Sequence, residues 1–191
     1  VQDGNHGEKH PKSSQFTNSG VPFIMASHIR DGQFLPDPNK CLSQEIISSL
    51  RIGHSRPCDV LLTHKATIGE TCIVPSTCQE IMLSPQVTMY RLHHESTLTP
   101  ELLKEWFMTT AFQGEISESS GQSTRDYIGI KAQHRLHAML PKDRHIANKI
   151  TSAILPISKT IHSLSAELLI QSKLQSALNA DLLSGRKRVS V

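Results

Sequence analysis

No run of apolar residues in this sequence exceeds a few positions, whereas a membrane-spanning helix needs about 20. The chain opens on no basic-then-apolar leader, and its first residue is Val1, which points to a start other than the native one. Cysteine is sparse. Cys41, Cys58, Cys72 and Cys78 form no Cys-x-x-Cys pair, which argues against a disulfide scaffold and a structural zinc site and fits a reducing cytoplasm. The expected location is therefore cytoplasmic, and secreted, membrane and zinc-finger classes drop out. Catalytic signatures are lacking too. Lys65 precedes Gly69 instead of following it, so there is no phosphate-binding Walker loop. The histidines, 11 in all, come closest at His93-His94 and His134/His137, without HExxH context or a third ligand at typical spacing. The acids Asp59, Glu70 and Glu80 are not followed by nuclease-like spacing. The expectation is no catalytic residue and no bound metal.

What is present suits one domain of ordinary size plus an appendage, in 191 residues and 21.2 kDa. Leu, Ile, Val and Phe together number 49, enough for a packed core. The net charge of +3 is mild but uneven: residues 1–141 carry 12 Lys/Arg against 14 Asp/Glu, and residues 142–191 carry 8 against 3. Basic excess suits a nucleic-acid partner, because neutralised phosphates release counterions, but a solvated helix shows the same bias.

The first 141 residues hold most of the Pro and Gly and many short β-like runs. Strands are predicted at Val21–Met25, Asp59–Thr63, Thr71–Val74 and Gln86–Leu92, with a turn at Asp31-Gly32. Ser43 can cap a short helix through Leu50. Thr99-Pro100-Glu101 is a helix-start signal, and Leu102, Leu103, Trp106 and Phe107 carry that helix to about Phe112. The Ser- and Gly-rich Gly114–Gly129 reads as a loop, followed by a short helix and an Ala138-Met139-Leu140 strand. From Lys142 the character changes, with no Gly before Gly185. Ile150, Ile154, Ile157, Ile161, Leu164 and Leu168 step by four and three, a coiled-coil seam that continues through Gln171 and Gln175 to Leu178 and Leu182. Such a rod wants a second helix against its stripe, and Pro156 should kink or break it. The fold class is therefore α+β: a mixed-sheet head over 1–141, a long coiled-coil helix over 142–183 and a basic tail over 184–191.

Six blocks occur in a telling order: Asp3-Gly4-Asn5-His6-Gly7, Gly20-Val21-Pro22-Phe23-Ile24, Pro57-Cys58-Asp59-Val60-Leu61-Leu62, Thr63-His64-Lys65-Ala66-Thr67-Ile68-Gly69, Ser84-Pro85-Gln86-Val87 and Gly121–Ile130. With Leu140-Pro141, the long helix and the Asp181–Val189 end, the chain resembles a target-recognition domain and its helical region from the DNA-specificity subunit of type I restriction–modification enzymes. It departs from the family at Cys58 and Ala66, where Gly is usual, so the backbone there is expected not to need positive φ. A complete member has two recognition domains and two helical regions; this chain matches a half-subunit or the C-terminal half of a longer protein.

The resemblance implies a non-catalytic subunit that directs methyltransferase (modification) and restriction subunits to a bipartite site on double-stranded DNA. It implies that S-adenosylmethionine resides on the methyltransferase partner, with no cofactor on this chain. The helical region would pair, through Ile150, Ile154, Ile157, Ile161, Leu164, Leu168, Gln171, Gln175 and Leu178, with a second helical region from the missing half or from a homodimer. The candidate DNA contacts are Lys9 and Lys12 in the early loop, Thr63, His64, Lys65 and Thr67 in the connection between strands, and Ser123, Thr124 and Arg125 in the Ser/Gly-rich segment. Bland readings stand beside each: a frayed terminus for the first, hydroxyls capping their own turn for the second, an Arg125 paired with Asp126 or Glu118 for the third. The tail Arg186-Lys187-Arg188 meets DNA or a partner, or is a solvated basic end. The competing function is a protein-interaction adaptor assembled through the helix without specific DNA reading.

Overall fold

The computed structural model describes residues 1–7, 10–120 and 127–187. The chain forms two compact units, Val1–Asn148 and Lys149–Val191. The first unit is built from short strands: β1 (Gln2–Asp3), β2 (Val21–Ile24), β3 (Ile29–Arg30), β4 (Gln33–Phe34), β5 (Cys41–Leu42), β6 (His54–Ser55), β7 (Val60–Thr63), β8 (Thr71–Ile73), β9 (Ile81–Leu83) and β10 (Val87–Tyr90). Its helices are α1 (Gln44–Ser49), α2 (Pro100–Phe107), α3 (Thr110–Ser120) and α4 (Ile130–Gln133), and α5 (Arg144–Leu183) runs on into the second unit.

Two four-stranded sheets form, in the orders β1-β10-β7-β8 and β5-β2-β9-β6, beside a β3-β4 hairpin. The first sheet is antiparallel throughout, with β7 central: Leu61 faces Met89 on β10 and Cys72 on β8. The second is mixed, because β2 and β9 run parallel while β5 and β6 run antiparallel to them. Strand side chains alternate between faces, and these strands are apolar on both. Leu61, Ile24, Ile81 and Leu83 enter one cluster, Val60 and Leu62 a second with Leu103, Phe107, Phe112 and Ile116, and Phe23 and Met82 a third with Leu42 and Ile47. The head is thus layered, α1 on one sheet, a shared core between the sheets, and α2 and α3 on the other. The mixed α+β class is as expected.

Local chemistry sets the helix bounds. Ser43 accepts from Ile46 N at the start of α1, and Thr99 from Leu102 N ahead of Pro100 in α2. The helix expected to reach Phe112 stops at Phe107 because Thr109 intervenes. Its hydroxyl donates to Trp106 O at 2.8 Å and accepts from Phe112 N at 3.3 Å, closing α2 and opening α3. The loop expected from Gly114 is helical through Ser120. Gly114 costs the helix about 1 kcal/mol, whereas burying Phe112 and Ile116, one turn apart and at most 2% exposed, returns about 1.5–3 kcal/mol each. The remainder of that expected loop, 121–126, lies outside the described residues.

No strand forms at Ala138–Leu140. The adjacent polar groups are taken by side chains: Trp106 Nε1 donates to His137 O, His137 N donates to Glu115, and Met139 is 82% exposed. Positive φ appears at Cys58 (69°) and Ala66 (74°), against expectation. Both occupy the left-handed region that Gly would enter without a Cβ penalty, and the flanking strand pairs hold them there. Asp59, weighed above as a nuclease acid, is 1% exposed and accepts from Arg91 Nε and Nη2 at 2.8 and 2.7 Å, from Ser55 Oγ and from Arg56 N. Glu80 is engaged by His54 Nδ1 at 2.7 Å and Glu70 by Asp31 N at 2.8 Å. Among the described residues no group of His, Cys, Asp and Glu is placed to hold a metal ion.

Helix α5 is continuous over 40 residues, about 60 Å at 1.5 Å per residue. Asp143 Oδ1 accepts from Ile146 N at its start, and Gly185, at φ 72°, ends it by donating to Leu182 O. Pro156 lies within the helix and does not interrupt it, so the early break does not occur. No described helix is long and apolar enough to cross a membrane.

Candidate nucleic-acid interface

The connection between β7 and β8 is organised by Thr63. Its hydroxyl donates to Thr67 O and accepts from Glu70 N at 3.0 Å, while Gly69 N donates to Thr63 O. A polar side chain that closes its own turn is the bland reading of this residue, and the fully buried Thr63 follows it. Gly69 (φ 93°) closes the turn against α3: a Cβ there would stand 2.3 Å from Gln113 Oε1, and Gln113 Nε2 donates to Gly69 O and Phe107 O. Lys65, Ala66 and Thr67 are left at the exposed tip. Beside them a cavity of about 370 Å³ opens between Ala66 and Ile68 and the α3 residues Gln113, Ile116, Ser117 and Ser120.

His64 is corrected from surface donor to internal strut. It is fully buried and ties three turns together. Its N–H donates to Gln86 O, its carbonyl accepts from Ile128 N, its Nδ1 lies 2.6 Å from Thr88 Oγ1, and its ring packs on Tyr127 at 5.5 Å. Nε2 is buried without a hydrogen-bond partner among the described residues. Burial pulls the imidazole down to a pKa of about 4, with Asp3 opposing and His6 and Lys65 reinforcing the shift. Thr63 and His64 therefore hold the turn, and Lys65 and Thr67 are what it presents.

Lys12 is exposed, its N–H donating to Gln15 Oε1. Lys9, Ser123, Thr124 and Arg125, and with them the pairing weighed for Arg125, lie outside the described residues. The described residues on either side of 8 and 9 are anchored and not frayed. β1 pairs with β10, Asn5 Nδ2 donates to Ile52 O, and His10 packs on Phe23 at 5.7 Å. Gly4 is required there because a Cβ would stand 2.0 Å from Leu83 O. His137 joins Glu115 at 2.8 Å, Trp106 is partly buried and Phe107 buried against the helical core, and Arg186 Nε sits 3.4 Å from Asp181.

Sequence reasoning passed over the outer face of α4. Tyr127 bridges to Lys65, Gln133 is buried between Tyr90 OH at 2.8 Å and Ile128 O at 2.9 Å, and Lys131, His134 and Arg135 face outward. The signal was available: in Ile130-Lys131-Ala132-Gln133-His134-Arg135-Leu136 the cationic positions recur at helical spacing opposite Ala132 and Leu136.

In the second unit, the helix residues Ile157, Ile161, Leu164 and Leu168 are 56–67% exposed and Leu178 47%, with Gln171 and Gln175 exposed between them. Ile150 and Ile154 are partly buried. Leu169, Ile170 and Leu174, off the expected seam, are exposed too.

No family model and no curated protein matches the sequence. Solved structures do match. A chain from a structure of the complex assembly and conformational transition of the type I R-M system is similar over 94% of this chain and 41% of that one, at a TM-score of 0.62 and 18% identity. The HsdS subunit from Thermoanaerobacter tengcongensis is similar over 95% of this chain and 42% of its own, at 0.59 and 18%. The chain has this fold and spans about two fifths of the length of these neighbours.

Proposed function

We infer that this chain is half of a type I DNA-specificity subunit, or its equivalent as a smaller subunit, which reads double-stranded DNA through the head and assembles through the helix. The observation that carries the reading is that one alignment takes in head and long helix together, over 94% of the chain, on a fold reached independently from the ordered sequence blocks. The exposed turn of Lys65 and Thr67 supplies an ammonium and a hydroxyl, donors that suit base edges and phosphates. Lys9, Ser123, Thr124 and Arg125 remain candidates for the same surface.

The helix supports the assembly half of the proposal. A stripe of Ile and Leu more than half exposed is not a stable state for a water-facing helix, and heptad spacing selects another helix as its cover. That partner is the second helical region, in the other half of a longer subunit or in a second copy, giving two half-site readers a fixed separation. The chain itself performs no chemistry in this proposal. The methyltransferase subunit carries S-adenosylmethionine, the restriction subunit joins the assembly, and the setting is the cytoplasm.

The test is methylation of a random duplex library by the chain combined with its methyltransferase partner. A bipartite recurring sequence among methylated duplexes is expected. Methylation without sequence preference, or preference unchanged when the chain is left out, would overturn the proposal.

A further inference from the structure

We propose that α4 and the turn after it form a phosphate clamp, with Lys131 on the helix and Arg135 in the turn, flanked by His134, gripping the DNA backbone beside the bases met by the Lys65–Thr67 tip. This rests on the DNA-reading proposal above and extends it to an element outside the strand connection.

Helix α4 is fixed in place from its buried side. The Lys65–Tyr127 bridge and the Ile128 N to His64 O bond at 3.1 Å lock the segment before α4 to the base of the tip. Ile128 is 1% exposed, in the same core cluster as Val60 and Leu62. Gln133, 2% exposed, accepts from Tyr90 OH and donates to Ile128 O, so the inner face of α4 is fastened on two sides. Lys131 lies on α4 and His134 and Arg135 in the turn that ends it, where His134 N donates to Ile130 O and Arg135 N to Ala132 O, and all three are exposed. A short helix and turn whose buried side is hydrogen-bonded and whose exposed residues are cationic have a surface free to meet a polyanion.

Charge supports the assignment. No ion pair among the described residues takes Lys65, Lys131 or Arg135. Of the two acids of α3, Glu115 is turned to the backbone and ring of His137, and Glu118 is exposed. Lys131 follows Tyr127 by four residues, a span of at most about 14 Å. That is about four base pairs of duplex at 3.4 Å each, so tip and clamp can touch one half-site. Backbone contacts of this kind set register without reading sequence.

The experiment compares the 191-residue chain with K131A/R135A on a duplex carrying its selected site and on a scrambled duplex, over a salt series. Each lost phosphate contact flattens the slope of log affinity against log salt by about 0.9. The double variant should flatten it by about two, weaken both duplexes by the same factor, about 30-fold at ~0.15 M salt, and melt like the parent. R51A/R56A, which removes two exposed cations, one just after α1 and one in the β6–β7 turn at the other end of β7, should leave the slope unchanged. A K131A/R135A slope equal to the parent's, or an equal loss in the control pair, would overturn the clamp and leave the DNA-reading proposal standing. Lost site preference at an unchanged slope would overturn it too, because α4 would then read bases. A parent chain with no duplex affinity even at the lowest salt would overturn both.

Discussion

At the scale of single residues, several positions owe their identity to what surrounds them. Gly4→Ala would drive a methyl into Leu83 O; strain of this kind typically costs about 1–3 kcal/mol, and urea unfolding should show a midpoint lowered to match. Arg91→Ala leaves Asp59 buried without its counter-charge, and a loss of about 3 kcal/mol is expected in the same assay. Two histidines act on stability in opposite directions. His54 bonds Glu80 and Leu50 O, and these partners raise its pKa over the opposing effect of burial, the largest single influence. Its stabilisation is present below the unfolded value near 6.5 and fades as pH rises through the raised folded value. His64, lowered to about 4, is held neutral, so below pH ~6.5 the unfolded chain takes up a proton that the native chain refuses until about 4. Stability should therefore fall by about 3 kcal/mol between those limits. His64→Gln should flatten that part of the curve in denaturant melts at stepped pH, and an unchanged slope would assign the acid sensitivity elsewhere.

At the scale of elements, the sequence was most legible where signal and packing agree. Ser43, Thr99 and Pro100 announce α1 and α2, and the apolar runs of β2, β7, β8 and β10 announce their strands. It was least legible where a distant partner decided the outcome. Composition around Gly114 reads as loop, yet Phe112 and Ile116 reach the core one turn apart and make α3. Cys58 and Ala66 look safe from positive φ, yet the flanking strand pairs impose it. In the candidate site, types and spacing pointed to the turn but not to which side chains it turns inward, so Thr63 and His64 read as contacts and are supports. The cations of α4 and the turn after it were passed over because their significance depends on the Lys65–Tyr127 bridge, a pairing across 62 positions. The rod of the second unit makes its own prediction. Leu168→Asp with Ile161→Asp should abolish concentration-dependent association in sedimentation, while the head's near-ultraviolet dichroism stays as in the parent.

At the scale of the whole molecule, a layered head presents donors on an exposed turn, and the long helix carries an apolar stripe that is exposed in a single chain. Each feature alone is common. Together, on a fold similar to the solved structures over 94% and 95% of the chain, they fit the proposed reader. The most direct test is selection of duplexes from a random pool by the purified chain, followed by sequencing of what it retains. The account predicts enrichment of one short sequence, repeated in inverted orientation at fixed spacing if two copies pair through their helices. Retained duplexes with no common sequence, at salt concentrations where binding persists, would contradict it.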